Sequence, residues 1–227
     1  MNKRYLNKAL SIIYPICVAV LIITFSIGLP IYFRPFYYMQ IEPLGLPEYT
    51  GVSYEKIKEA YDEVLDYLVF PGGEFSSGVF KFSEEGASHF ADCKGLFTLN
   101  GVALAVSLLA VVTISVLNSK GKIQLAKPKG FPLWSWAGAG VLGVFAVIGI
   151  LCAVDFDTAF RVFHAVFFPG KDNWLFNPWE DQIILVMPEE FFMSCGILIL
   201  SSVLLLSISV IVAGALLRRR ANGEKMN

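Results

Sequence analysis

Cysteine and histidine are scarce in this chain of 227 residues, which has four of the first and two of the second. Three cysteines lie in apolar runs, and only Cys93 lies in a polar segment. We expect no disulfide framework, because such a framework needs paired cysteines in polar segments. The chain also lacks a C-x-x-C motif for zinc or redox chemistry. No basic patch is interleaved with stacking aromatics outside the apolar runs, which argues against a nucleic-acid partner.

Signature motifs of several enzyme classes are missing as well. The chain has no G-x-S-x-G elbow, no H-E-x-x-H motif and no glycine-rich phosphate loop. Two histidines with scattered carboxylates match no known metal-ligand spacing, so we expect neither a metal nor another cofactor. These absences set aside the hydrolases, metalloproteases and nucleotide-binding enzymes that depend on such motifs.

Charged residues are absent from four long apolar runs, at 9–33, 96–117, 131–154 and 192–217. A helix needs about 20 apolar residues to cross a bilayer core of about 30 Å. Backbone groups inside a bilayer must be satisfied within their own segment, so each run should be helical. The first run is too long for a signal peptide and has no cleavage site after it. The sequence therefore predicts an all-α integral membrane protein, a single membrane domain over 1–227 that forms a four-transmembrane-helix bundle with a small extracytoplasmic cap.

Lysine and arginine are unevenly divided among the polar segments. The N-terminus, the 118–130 loop and the C-terminus together hold 11 basic residues and one acidic residue, Glu224. The segments 34–95 and 155–191 hold the other 7 basic and 18 acidic residues. Lysine and arginine concentrate in cytoplasmic loops, so the count predicts cytoplasmic termini and two outer, acidic segments.

The first outer segment shows patterns of local structure. Ser53 should cap a helix over 54–68, with an apolar face and an acidic face. Residues 79–82 read as a short strand. Ser83 should cap a second helix that leads without a break into the second apolar run.

The two histidines both lie outside the apolar runs and close to them. His89 is seven residues before the second run, about 10 Å along a helix, and His164 is ten residues after the third, about 15 Å by the same rise. The two rings should therefore reach a similar depth near the outer face. Each ring is either a plain interfacial histidine with one wet nitrogen or part of a shared site.

The neighbours of the two histidines favour a shared site. His89 shares a helix face with Asp92 and Cys93, and Asp92 is placed to hold the imidazole in one tautomer. Cys93 is either a thiol nucleophile with His89 as its base or a small packing residue. Arg161, one turn before His164, could hold a phosphate, a carboxylate or a developing oxyanion.

Two histidine-bearing stretches resemble a known family. They read His89-x-x-Asp92-x-Lys94-x-Leu96-Phe97 and Phe163-His164-x-x-Phe167-Phe168, the second followed by Trp174-x-Phe176 and Pro188-x-x-Phe191-Phe192. Together with the number of spans, the topology and the loop sizes, these motifs resemble those of the bacterial lipoprotein intramolecular transacylases over nearly the whole chain.

The resemblance implies a substrate, a reaction and a set of site residues. The substrate would be a diacylglyceryl-modified lipoprotein, among membrane lipids in the outer leaflet of a bacterial cell membrane. The enzyme, an acyltransferase, would move the sn-2 acyl chain to the α-amino group of the N-terminal cysteine, leaving a lyso-form lipoprotein. The resemblance carries over His89 as the base and His164 as its catalytic partner, and no further catalytic residue. From the residues themselves we expect Asp92 to support His89 and Lys94, Arg161 and Trp174 to bind substrate. Arg161, Lys94 and free backbone N–H groups are open alternatives for stabilising the oxyanion.

The residues are compatible with this reaction, although two alternatives stay open. An α-amino group with a pKa of about 7.7–8.0 can give a proton to an imidazole as it attacks an ester. No covalent acyl-enzyme is then needed, which agrees with the missing serine elbow. The alternatives are a Cys93-dependent lipid acyltransferase and a non-enzymatic membrane scaffold or partner subunit that docks through the 54–68 helix.

Overall fold

The computed structural model describes residues 3–223, so Glu224 and Lys225, which enter the charge count, lie outside the described residues. Within that range the backbone forms eight α-helices and no strand. The helices are α1 (Lys3–Tyr32), α2 (Pro35–Ile41), α3 (Leu46–Thr50), α4 (Tyr54–Val69), α5 (Glu84–Ser119), α6 (Leu133–Val154), α7 (Phe156–Phe167) and α8 (Glu189–Gly223). Two short 3₁₀ segments cover Pro128–Gly130 and Gln182–Leu185.

Four helices, α1, α5, α6 and α8, are long and apolar enough to cross a membrane. Each contains nearly all of one charge-free run, which confirms an all-α protein with four candidate spans. Helix α5 begins well before its charge-free run. Residues 84–95 therefore form a polar helical extension outside the spanning segment 96–117.

Local predictions in the first outer segment are partly confirmed. Helix α4 lies at the predicted position and buries the predicted apolar face. Ser53 stands at its N-cap in an extended conformation, but its side chain makes no capping hydrogen bond. The predicted strand at 79–82 is wrong, because Ser77 Oγ donates to the Phe80 carbonyl at 2.8 Å and closes a turn.

The first of two compact units, here called the membrane unit, combines the chain up to Ile27 with Gly101–Ile150 and the chain from Ile199. Small residues allow its helices to pack closely, as is common among helices in membranes. A Cβ added at Gly138 of α6 would lie 3.0 Å from the Ser207 carbonyl of α8. The buried apolar core consists of Tyr14, Val18, Ile22, Ile114, Ile123, Leu133, Ala137, Val141 and Val203.

The second compact unit, here called the outer unit after the predicted position of its segments, combines Gly28–Asn100 with Leu151–Leu198. Its core contains both aliphatic and aromatic side chains. The rings of Tyr37 and Tyr61 stack with centroids 3.8 Å apart, and Phe191 packs edge-on against Tyr37. The Tyr37 hydroxyl donates to the Val186 carbonyl at 2.6 Å. These contacts tie the start of α8 to α2 and α4, and both histidines belong to this unit.

Candidate active site

The rings of His89 and His164 are neighbours, although 75 positions separate them in the chain. Their centroids are 5.7 Å apart with an interplanar angle of 33°. Each residue is only 6% exposed. The sequence placed the two rings at a similar depth, and the tertiary structure puts them side by side in one buried cluster.

The start of α5 fixes the position of His89. Ser83 Oγ accepts the Gly86 backbone N–H at 2.9 Å, which confirms the predicted cap. The buried carboxylate of Asp181 accepts the Ser83 backbone N–H at 2.8 Å and the Ser83 hydroxyl at 2.9 Å. A Cβ at Gly86 would collide with this carboxylate. The helix that carries His89 is thus anchored by a residue whose role local sequence patterns do not reveal.

His164 lies on α7, whose first turn is capped by Asp155 through the Thr158 backbone N–H. His164 Nδ1 lies 2.8 Å from the Phe160 carbonyl oxygen. A carbonyl only accepts, so Nδ1 carries the proton and Nε2 of the neutral ring has a lone pair. The ring stacks on Trp174, with centroids 4.3 Å apart. Burial lowers the pKa of His164, and the hydrogen bond to Phe160 opposes this effect.

The two nitrogens of His89 have different surroundings. Nε2 lies 3.4 Å from the thiol sulfur of Cys93, one turn later on α5. Nδ1 is buried and has no hydrogen-bond partner among the described residues. The rings of Phe168 and Phe176 pack against the imidazole at centroid distances of 4.9 and 5.5 Å. The two nitrogens thus differ: Nε2 has the Cys93 thiol as its neighbour, and Nδ1 lacks a described hydrogen-bond partner.

The charge state of His89 is set mainly by its burial, which lowers its pKa to about 4. The neighbouring His164 lowers the pKa further. The Asp92 carboxylate and the Asn173 side chain oppose this shift, because both favour the protonated ring. His89 is consequently a neutral imidazole at pH 7 and is able to accept a proton.

Asp92 forms no described hydrogen bond or ion pair with His89 but joins a small polar network beside it. Its carboxylate accepts hydrogen bonds from Lys171 Nζ at 2.5 Å and from Asn173 Nδ2 at 3.1 Å. The bond to Lys171 is the main reason that the pKa of Asp92 falls below its usual range. The other amide atom, Asn173 Oδ1, is buried without a hydrogen-bond partner. Lys171 and Asn173 were not predicted as site residues, because only the fold brings them to Asp92.

Two of the predicted substrate-binding residues are engaged elsewhere in the structure. Arg161 is exposed and pairs with Asp157, one turn earlier on α7. Lys94 donates to the Gly72 carbonyl at 2.7 Å and lies over the Tyr67 ring. Within residues 3–223, no described contact joins either cation to a histidine ring. Trp174, by contrast, contacts His164 directly.

Cys93 is a poor candidate for a nucleophile. Burial, with the Asp92 charge as a smaller cause, raises the pKa of its thiol to about 12. A thiolate is the reactive form, and almost none is present at neutral pH. The described residues also contain no group of three or more His, Cys, Asp or Glu side chains that could hold a metal ion.

Apolar rings line the histidine pair. Phe176 stacks on Phe90, and Phe160 packs against both Trp174 and Phe192. Apart from His164, most residues of α7 are exposed to solvent, and several of these exposed residues have large apolar side chains. They are Val162, Phe163, Val166 and Phe167. Such a surface is suited to hydrocarbon chains.

Comparison with known proteins identifies the family. Residues 12–192 match the family described as lipoprotein intramolecular transacylase Lit. The solved structure of the membrane integral lipoprotein intramolecular transacylase Lit from Bacillus cereus is 24% identical and has a TM-score of 0.83. The likeness covers 98% of this chain and 99% of that one.

Two further structures of the Bacillus cereus protein carry a single histidine changed to arginine or to alanine. Both are 24% identical with a TM-score of 0.76. The likeness to the arginine variant covers 97% of this chain and 95% of that one. The likeness to the alanine variant covers 98% of this chain and 97% of that one. No curated protein is significantly similar to this chain in sequence. The solved structures show a shared fold, and since the family match spans most of the chain, this protein belongs to the lipoprotein intramolecular transacylase family of membrane acyltransferases.

Proposed function

We propose that the protein moves the sn-2 acyl chain of a diacylglyceryl-modified lipoprotein to the α-amino group of that lipoprotein's N-terminal cysteine. The product is a lyso-form lipoprotein. The pair of buried, adjacent imidazoles within an apolar ring cluster is the observation that carries this proposal. Ester and amine belong to one molecule, so correct folding of the substrate supplies much of the rate by proximity.

His89 Nε2 is the general base in this proposal. Nδ1 is enclosed beside Asn173, whose Oδ1 is buried and lacks a partner. The Asn173 side chain raises the pKa of His89, as expected when the amide oxygen is placed to accept from the imidazole. With Nδ1–H directed to Asn173, the lone pair of the neutral ring stands on Nε2. Asp92 and Lys171 hold the amide of Asn173 in the orientation that this bond requires.

The reaction then balances without an acyl-enzyme. The neutral amine attacks the sn-2 ester carbonyl, a C–N bond forms, and His89 Nε2 takes a proton from the nitrogen. The tetrahedral intermediate collapses as the bond between the carbonyl carbon and the sn-2 oxygen breaks. The His89 imidazolium returns the proton to that oxygen. The Nδ1–H of His164 stays hydrogen-bonded to the Phe160 carbonyl. Its Nε2 is then an acceptor that orients the amine.

Location on the outer side of a bacterial cell membrane follows from the substrate and from the charge pattern. The basic residues concentrate at the termini and in the 118–130 loop, which favours a cytoplasmic position for these segments. The segments that carry both histidines are then extracytoplasmic. A lipoprotein anchored in the outer leaflet presents its ester and amine on that side, and the exposed apolar residues of α7 face its acyl chains and membrane lipids.

Mass spectrometry of lipoprotein N-termini tests the proposal. Expression in a bacterium without such an activity should convert diacylglyceryl lipoproteins to the lyso form. The His89→Ala variant should lose activity by about 100-fold or more, since it removes the base. Its amount in the membrane should be measured alongside the products. Full activity of a correctly inserted variant would refute the role of His89.

A further inference from the structure

The outer unit contains a surface groove of about 610 Å³ that the histidine cluster does not use. It is lined by Phe80, Lys81, Phe82, Ser83, Trp179 and Glu180. Trp179 is 86% exposed and Phe82 is 43% exposed. Packing within the outer unit does not explain an indole left so open, and tryptophan is a residue that binding surfaces favour.

Hydrogen bonds between the two walls fix the shape of the groove. The Lys81 backbone N–H donates to Gln182 Oε1 at 3.1 Å, and the Gln182 backbone N–H donates to the Lys81 carbonyl at 2.9 Å. The Asp181 carboxylate accepts the Ser83 backbone N–H and so also joins the two walls. The Asn177 side chain accepts the Trp179 backbone N–H at 3.2 Å. The groove is therefore preorganised and requires no ordering of its backbone on binding.

Two chain segments connect the groove with the histidine site. Ser83 lines the groove and caps α5, and His89 follows six residues later, about 9 Å along the helix. Phe176 packs on His89, and Trp179 lies three residues further, within about 10 Å. Chain connectivity thus places the groove close to the site, with α5 leading to one wall and the 176–180 segment to the other.

The direction of α5 shows which part of a substrate would reach the groove. The spanning part of α5 begins at Leu96, so the path from Leu96 through His89 to Ser83 leads away from the bilayer core. A lipoprotein whose amine lies at His89 keeps its acyl chains on the membrane side. Its polypeptide must then leave in the opposite direction, where the groove lies.

We infer that this groove binds the lipoprotein polypeptide directly after its lipidated cysteine, an inference that depends on the function proposed above. An extended chain advances about 3.3 Å per residue, so about three residues cover the roughly 9 Å from His89 to the Ser83 edge of the groove. Lys81 and Glu180 bring opposite charges to the groove, which therefore has no net preference for acidic or basic peptides. The indole packs on the peptide backbone and small side chains, and this mode of binding accepts many lipoprotein sequences.

Two synthetic diacylglyceryl lipopeptides test this inference. One ends at the cysteine amide, and the other continues for five small polar residues. The purified full-length protein should convert the long lipopeptide with a KM about tenfold lower than the short one, because only the long one gains the groove contacts. The Trp179→Ala variant should raise the KM of the long lipopeptide to that of the short one without changing its kcat. The control Tyr49→Ala, an exposed aromatic change elsewhere in the outer unit, should leave both KM values unchanged.

A cross-linking measurement supports the kinetics independently. A photoreactive residue at the third position after the cysteine should label the 179–180 segment of the wild-type protein. Equal KM values for the two lipopeptides, or labelling elsewhere, would overturn the inference. Equal losses on both lipopeptides in Trp179→Ala would show that Trp179 anchors the protein at the lipid surface instead. Failure of the wild-type protein to convert either lipopeptide would refute the proposed function itself.

Discussion

The membrane unit and the outer unit use polar groups in opposite ways. In the membrane unit several hydroxyl groups lie within hydrogen-bond distance of each other or of a nearby carbonyl. Ser26 Oγ, for example, is 2.9 Å from the Ile22 carbonyl oxygen and 3.1 Å from Ser202 Oγ, whereas Ser207 Oγ is buried without a described partner. In the outer unit ion pairs and amides surround the histidines, as where Lys171 and Asn173 hold Asp92. A low-dielectric core disfavours charged groups and unpaired polar groups. Both histidines lie in the outer unit, and changes in the two units should have different consequences.

Substitution of Gly138 by leucine should have the largest effect on the membrane unit. The new side chain would meet the Ser207 carbonyl and force α6 away from α8, at a cost of about 1–3 kcal/mol or more. The matched control is Gly143→Leu, since a Cβ at Gly143 meets nothing within 4 Å. Thermal unfolding in detergent should show a lower Tm for Gly138→Leu alone. Equal Tm values would show that close packing at Gly138 does not stabilise the membrane unit.

Substitution of Asn173 by alanine should lower activity about tenfold or more with little change in Tm. The reason is that the amide no longer holds the His89 ring in the tautomer protonated at Nδ1. Asn173→Gln should restore part of the activity, because it keeps the amide. Nitrogen NMR of labelled histidine should show Nδ1 protonated in the wild type and a mixture of tautomers in Asn173→Ala. A wild-type tautomer in the inactive variant would contradict the positioning role.

The pH dependence of stability should separate the histidine site from the rest of the protein. The folded His89 has a pKa of about 4, below its ordinary value near 6.5. Between these values the unfolded chain binds a proton that the folded protein does not, so stability is complete above pH 6.5 and declines as the pH falls towards 4. His164, whose pKa is also lowered by burial, adds to this decline below pH 6.5. Asp92, whose pKa is lowered by Lys171, adds a further decline only below its ordinary value of about 3.9.

Unfolding measured at pH 7 and pH 5 checks this linkage. The Tm should drop on acidification in the wild type and drop less in His89→Asn, which removes one of the titrating groups. The same drop in both proteins would mean that His89 is not protonated during acid destabilisation. Activity should instead rise between pH 6 and 8, because the substrate amine loses its proton there.

Substitution of Cys93 by alanine should have the smallest effect. The thiol is protonated and only a weak donor to His89 Nε2, so the amine of a substrate displaces it easily. Activity should stay within about threefold of the wild type, the scale of a small packing change. Intact-protein mass spectrometry should detect no acyl thioester during turnover. A trapped thioester or a complete loss of activity would revive the nucleophile hypothesis.

Short-range patterns in the sequence predicted much of the fold correctly. The charge-free runs predicted four spanning helices, the spacing of Ile57, Ala60 and Tyr61 predicted the buried face of α4, and Ser83 predicted a helix start. The strand at 79–82 failed because a side-chain hydrogen bond from Ser77 closes a turn there. Arg161 pairs with Asp157, four residues earlier on the same helix, a partner that helical spacing could have identified. The contact of Lys94 with the Gly72 carbonyl depends on the fold.

By itself, the sequence determined where this protein enters a membrane and which two histidines lie near its surface. Hydropathy, charge and helical rise are properties of the chain that act over a few residues, so they can be read directly. Only the tertiary structure decided that the two rings meet, that Asp92 accepts hydrogen bonds from Lys171 and Asn173, and that Asp181 anchors the start of α5. Those contacts join residues some 75 to 100 positions apart, and their geometry follows from packing of the whole outer unit, which no local pattern encodes.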